Sequence, residues 1–273
     1  MPLVAVCAIA LLIACSWNII VVRLAPRMGL VKPNFRKTPV MASYGLIAFP
    51  YIAAIGVMFA MGGWVNWPVT RLYLSVMAAM WLLGAIDDIW GNREVGGFKG
   101  HFRKLLVEHK LTTGAVKAIG GGVVALAAGY WMYRSDLVHA LLAAAVIALA
   151  TNLLNLFDLR PGRAVAVFFL GLVVTCTLKY GRLVALPLVV MISEIALIFG
   201  NADSRGETML GDSGSNALGA ALGLTIALSA PNWMIPAIIA MATVHVYSEK
   251  HSISGLIDRN RVLRAIDRRL GVR

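Results

Sequence analysis

Nine apolar stretches, most of them long enough to cross a lipid bilayer, divide this sequence from end to end. They run roughly over 3–22, 44–61, 69–86, 115–133, 138–157, 164–178, 183–199, 216–230 and 233–248, separated by Pro, Gly and charged clusters. A helix needs about 20 apolar residues to cross a hydrocarbon core of about 30 Å. Inside that core each backbone polar group must be satisfied by the span itself, which leaves helices or closed barrel strands. Polar and apolar residues almost never alternate here, so barrel strands are not supported. The expected fold is all-α: a polytopic membrane bundle of about nine transmembrane helices. It forms one domain, 1–273, with a basic cytoplasmic tail over 249–273. Composition agrees, with 59% hydrophobic and only 14% charged residues, where soluble domains carry about 25% charged.

The first stretch contains Leu12-Ile13-Ala14-Cys15, which looks like a lipoprotein cleavage box. No Lys or Arg precedes it and the apolar run continues through Val22, so 3–22 is expected to be a retained span. Cys7, Cys15 and Cys176 lie in apolar stretches without paired spacing and read as small hydrophobes.

Charge sets the expected orientation. Of the 25 basic residues, 21 follow odd-numbered spans or lie in the tail. After the third span these are Arg93, Lys99, Arg103, Lys104, Lys110 and Lys117, in a loop that also holds His101 and His109. Only Arg71, Arg134, Lys179 and Arg182 fall on the other side. The positive-inside rule then puts the N-terminus outside and the C-terminus in the cytoplasm. The formal net charge of +12 fits topology and attraction to anionic lipids or phosphorylated substrates, with no nucleic-acid partner. The acidic residues gather on the same cytoplasmic face, apart from Asp136 outside and Glu194 within the seventh span.

Four constellations on that face carry potential chemistry. Asp87 and Asp88 are adjacent carboxylates at the end of the third span, and a hard divalent cation would relieve their repulsion. Asn152, Asn155 and Asp158 form a polar stripe at helical spacing, suited to sugar, ribose or phosphate oxygens. Gly211-Asp212-Ser213-Gly214-Ser215-Asn216 precedes the eighth span, where glycines and helix-start amides suit phosphate and Asp212 suits a metal. Arg36 and Lys37 are paired cations beside the membrane, placed to clamp a lipid phosphate or to anchor topology. Each alone also has a bland explanation as a helix end, interhelical hydrogen bonding or a charged loop.

Taken together and in this order, the four resemble the polyprenyl-phosphate N-acetylhexosamine-1-phosphate transferases, the multispan enzymes that start lipid-linked cell-envelope glycans, peptidoglycan among them. The resemblance runs from about Pro33 to Gly219. It implies transfer of an N-acetylhexosamine 1-phosphate from a UDP-sugar to polyprenyl (undecaprenyl) phosphate, with Mg²⁺, or Mn²⁺ as the alternative cation. It implies Asp87, Asp88 and Asp158 as catalytic residues and Asp212 with Asp88 as metal ligands. Arg36, Lys37, Asn152, Asn155, Gly214 and Ser215 would bind substrate, and a homodimer is one possible assembly. The chain departs from the family at Gly91, where a third polar residue usually follows the Asp pair. It departs again at Val31 and Pro39 in the first loop, and at Leu159-Arg160-Pro161, where the Asn stripe usually continues as Asp-Gly-x-Asp-Gly. The usual His-rich loop is missing, His245 and His251 being isolated. Two other readings stand beside the transferase: an inactive relative serving as scaffold, motivated by Pro161 and the missing His loop, or a multispan transporter whose intramembrane carboxylates carry ions.

Overall fold

The computed structural model describes residues 3–28, 31–34, 36–42, 44–91, 113–178 and 186–272. The expected loop residues Arg93, Lys99, Arg103, Lys104, Lys110, His101 and His109 lie outside the described residues, as do Lys179 and Arg182.

Each of the nine apolar stretches coincides with a helix: α1 (Leu3–Leu24), α2 (Gly45–Met61), α3 (Trp67–Trp90), α4 (Thr113–Met132), α5 (Leu137–Phe157), α6 (Arg163–Leu178), α7 (Leu186–Ser204), α8 (Gly211–Ser229) and α9 (Met234–Lys250). Three of them, α3, α4 and α5, are long and apolar enough to cross a membrane. The pair α8 and α9 qualifies only jointly, with a bend of 112° at the break between Ser229 and Pro231. Length and composition therefore support three spans, or up to four, among the described residues, where hydropathy alone suggested nine. Helix length accounts for part of the difference, since α2, α6 and α9 have only 17, 16 and 17 residues.

The bundle is organised around α8, which is buried along nearly its whole length and packs most extensively on α5 and α3. Small residues make this possible. A Cβ on Gly219 would lie 2.5 Å from Thr151 Cα, and one on Gly223 2.6 Å from Ile147 Cα, so α5 and α8 meet backbone to backbone. Gly84 of α3 meets the Asp212 carbonyl in the same way, and Gly45 of α2 meets Gly214. Two polar pairs cross this core: Tyr73 Oη and Thr225 Oγ1 are 3.0 Å apart, and Trp81 Nε1 donates to the Gly45 carbonyl at 2.9 Å. The outer surface carries exposed apolar side chains such as Ile119, Val123 and Leu126 of α4, Leu170 and Val173 of α6, and Ile239 of α9. That is the surface expected of helices that face lipid.

Two features depart from an all-helical bundle with a loose tail. Residues Val31–Pro33 (β1) and Pro39–Met41 (β2) form a short antiparallel hairpin. Its far end is fastened to the segment before α8: Met209 N–H donates to the Met41 carbonyl at 2.7 Å, and Tyr44 N–H to the Met209 carbonyl at 2.9 Å. The tail folds into α10 (Ile253–Arg259) and α11 (Arg261–Leu270) and docks on the bundle. Asp267, buried, forms a bidentate pair with the buried Arg163 at 2.6 and 2.9 Å. Val272 N–H donates to the Ser204 carbonyl at 2.8 Å.

Candidate active site

The C-terminal ends of α3, α5 and α7 meet the N-terminal ends of α4, α6 and α8 at one end of the bundle. Helix α3 continues through Asp87 and Asp88 to Trp90, so both carboxylates stand on its last turns. Helix α8 begins at Gly211, in the left-handed region at φ 76°, so the Gly-Asp-Ser-Gly-Ser segment forms the helix's own first turn. This corrects the expectation of a loop preceding the span.

The reason is electrostatic. A helix leaves its first amide groups without intrahelical partners and carries partial positive charge there. Asp88 places one oxygen on Asp212 N–H and the other on Ser213 N–H, both at 3.0 Å. Asp158, the C-cap of α5, accepts from Gly211 N–H. Two carboxylates of the chain itself thus hold the amide groups that the sequence offered to a phosphate.

Asp87 and Asp212 face a common cation. Lys117, in the second turn of α4, places Nζ 3.0 Å from Asp87 Oδ2 and also contacts Asp212 Oδ2. All three side chains keep partial access to solvent. Around them lie Asp88, Asp158 and the buried Asp203, whose Oδ2 accepts from Gly162 N–H at 2.6 Å. Burial pushes the Asp158 carboxyl well above the ordinary carboxylate range, and the charges of Asp203, Asp212 and Asp88 add to the rise. The Gly211 amide opposes it.

Other expected residues stand around this core. Asn155 Nδ2 donates to Asn216 Oδ1 at 3.2 Å, tying α5 to α8, whereas Asn152 is exposed. Gly214 packs on Gly45, and Ser215 is fully buried with Oγ reaching the Asp212 carbonyl at 3.4 Å, so both stand inside the helix packing. Arg36 and Lys37 are exposed at the turn of the β hairpin, where Asn34 Oδ1 accepts from Arg36 N–H at 2.8 Å. Lys37 there adopts φ 61°. Glu194 lies near Tyr51 of α2 instead.

Sequence reasoning assigned Lys117 to topology and missed it as a site residue. It is the one charged residue of α4, and a lone cation in an apolar helix is the signal that could have found it. Asp203 and the Arg163–Asp267 pair gave no local signal, because their partners lie far away in sequence.

A divalent cation finds hard oxygen donors here, but among the described residues no group of three His, Cys, Asp or Glu is arranged to hold one. The donor set fits a two-carboxylate site, Asp87 with Asp212, of the kind that Mg²⁺ completes with water and substrate phosphate. Asp88, expected beside Asp212 as a ligand, has its oxygens on backbone amides instead. No family model matches this chain, and no curated protein matches it either.

Proposed function

We propose that the chain is a membrane-embedded transferase that moves an N-acetylhexosamine 1-phosphate from a UDP-sugar onto polyprenyl phosphate, for cell-envelope glycan synthesis. The observation that carries this reading is the convergence of Asp87, Lys117 and Asp212 at one end of a bundle of membrane-length helices, ringed by Asp88 and Asp158. A solvent-accessible cluster of both charges at a helix-bundle end suits a diphosphate in water meeting a phosphate in lipid.

The reaction forms a bond from a lipid phosphate oxygen to the sugar-bearing phosphorus of the donor. The bond from that phosphorus to the bridging oxygen of UMP breaks, and UMP leaves with the electron pair. Asp87 and Asp212 would hold Mg²⁺, which when bound would supply charge neutralisation for the donor diphosphate. Lys117 sits between the same carboxylates and adds a fixed positive charge where negative charge develops. By gripping the Asp212 and Ser213 amides, Asp88 fixes the direction of the Asp212 side chain. Asp158, whose carboxyl is pushed up by burial and the neighbouring carboxylates, exchanges a proton at the lipid phosphate. Asn152 and Asn155 bind the donor, and Arg36 and Lys37 hold the acceptor phosphate.

In this reading the chain is a multi-pass protein of the cytoplasmic membrane with nine spans, the N-terminus outside and the site on the cytoplasmic face. The donor is a simple UDP-N-acetylhexosamine such as UDP-N-acetylglucosamine. The sequence lacks a His-rich loop for a muramyl-pentapeptide, and the segment before α8 is short. The test is UMP release by purified protein in detergent, with polyprenyl phosphate and each UDP-sugar in turn. Release that needs both the lipid and the divalent cation supports the proposal. Absence of release from every donor leaves the inactive-scaffold and transporter readings.

A further inference from the structure

The tail helix α11 is amphipathic, and its apolar side is not covered by the bundle. Asn260 caps it, its Oδ1 accepting from Val262 N–H at 2.9 Å and Leu263 N–H at 3.1 Å. From that start, Val262, Leu263, Ile266 and Leu270 fall within about a third of the helix circumference. Val262 is 67% exposed and Ile266 51%, which in water would leave a bare apolar stripe. Arg261, Arg264 and Arg268 occupy the opposite side and Arg269 flanks the stripe beside Val262; Arg261, Arg268 and Arg269 are exposed. Between the two sides lies Asp267, the contact through which the helix is fastened to Arg163 at the start of α6.

The fastening decides the height of the helix. Arg163 is the first residue of α6, and Val272 is bonded to Ser204, the last residue of α7. Helix α11 therefore sits level with the ends of two bundle helices, where a bilayer surface would lie. A short helix with an apolar stripe and an arginine face, held at that level, matches a layer with acyl chains on one side and anionic headgroups on the other. A second copy of the chain supplies no such charge match, since the same surface carries four arginines.

We infer that α11 lies in the bilayer surface with Val262, Leu263 and Ile266 among the acyl chains and its arginines on anionic headgroups. The Arg163–Asp267 pair transmits this seating to the Pro161–Arg163 turn that follows Asp158. This rests on the membrane placement proposed above and not on the transferase reaction.

The test uses the full chain with Cys7, Cys15 and Cys176 replaced by alanine and one spin label at Ile266→Cys, Val262→Cys or Arg268→Cys. The protein is reconstituted into phosphatidylcholine vesicles with or without phosphatidylglycerol, and flotation confirms that it is embedded. Collision with oxygen reports lipid, and collision with a water-soluble nickel chelate reports water. The labels at 262 and 266 should shift from nickel-accessible to oxygen-accessible when phosphatidylglycerol is added, while the label at 268 stays in contact with nickel. Combining Arg261→Gln, Arg268→Gln and Arg269→Gln should abolish the shift. Labels at 262 and 266 that stay in water in both lipids overturn the inference. So do labels shielded from both reagents with mutual dipolar broadening, which would mean a second copy covers the stripe. A chain that fails to float overturns the membrane placement itself.

Discussion

Lys117 Nζ lies 3.0 Å from Asp87 Oδ2 and also contacts Asp212, so one ammonium joins the end of α3 to the beginning of α8. Removing it leaves two carboxylates facing each other in a partly closed site. Lys117→Met should lower turnover by about a hundredfold or more. It should also lower the thermal midpoint in chelator, and Mg²⁺ should restore much of that loss by replacing the missing charge. Melting curves with and without Mg²⁺ check this; a midpoint unaffected by the substitution in chelator would show that the ammonium does not relieve carboxylate repulsion.

Asp87 and Asp88 are neighbours with different work. Asp88→Asn points an amide NH₂ at a backbone N–H and strands it, a loss of about 1–3 kcal/mol. Asp87→Asn leaves Lys117 its contact with Asp212 but removes a charge from the cation-facing pair. Calorimetry alongside the UMP assay should therefore separate them, with Asp88→Asn losing stability and Asp87→Asn losing turnover first. Equal thermal midpoints for the two variants would contradict the amide-holding role.

Asp158 carries a pH dependence whose sign is fixed by its surroundings. Its folded-state pKa is raised above the unfolded value. Its contribution to stability is therefore fully present below the unfolded carboxylate value of about 3.9 and is lost as pH rises through the folded value. In chelator, Asp158→Asn keeps an acceptor for Gly211 N–H but cannot ionise. Its thermal midpoint should exceed wild type at neutral pH, by about 2–4 °C per kcal/mol, and the gap should close in acid. A gap that widens in acid would reverse the assignment.

The buried Arg163–Asp267 pair should be costly to break and cheap to replace. Asp267→Asn leaves an unpaired buried guanidinium and should lose about 3–5 kcal/mol, whereas Arg163→Met with Asp267→Leu should recover most of that. Limited proteolysis between α9 and α11 reads the same event, since a released tail becomes cleavable. Similar losses in the single and the double variant would mean that the pair does not hold the tail.

Hydropathy made the nine helices legible because an apolar run of that length has few alternatives. The acidic cluster was legible in part: Asp87, Asp88, Asp158 and Asp212 do meet at one bundle end. What Asp88 and Asp158 do there was not legible, because a carboxylate that serves a cation and one that caps a helix look alike in sequence. Lys117 was hidden because it was grouped with the loop cations, although it lies inside the apolar stretch 115–133. The β1–β2 hairpin is too short to show a strand pattern. The docking of α11 depends on Arg163, 104 residues upstream of Asp267, and no local pattern encodes such a partner.

The bonds from Met209 to Met41 and Tyr44 carry a consequence for biosynthesis. The hairpin with Arg36 and Lys37 emerges early from the ribosome, yet the strand that fixes it to the bundle arrives only with Thr208 to Leu210. Asp88 waits equally for the amides of Asp212 and Ser213. The chain must therefore be synthesised as far as α8 before its polar end can close, and a nascent chain halted earlier leaves Asp88 without these amides.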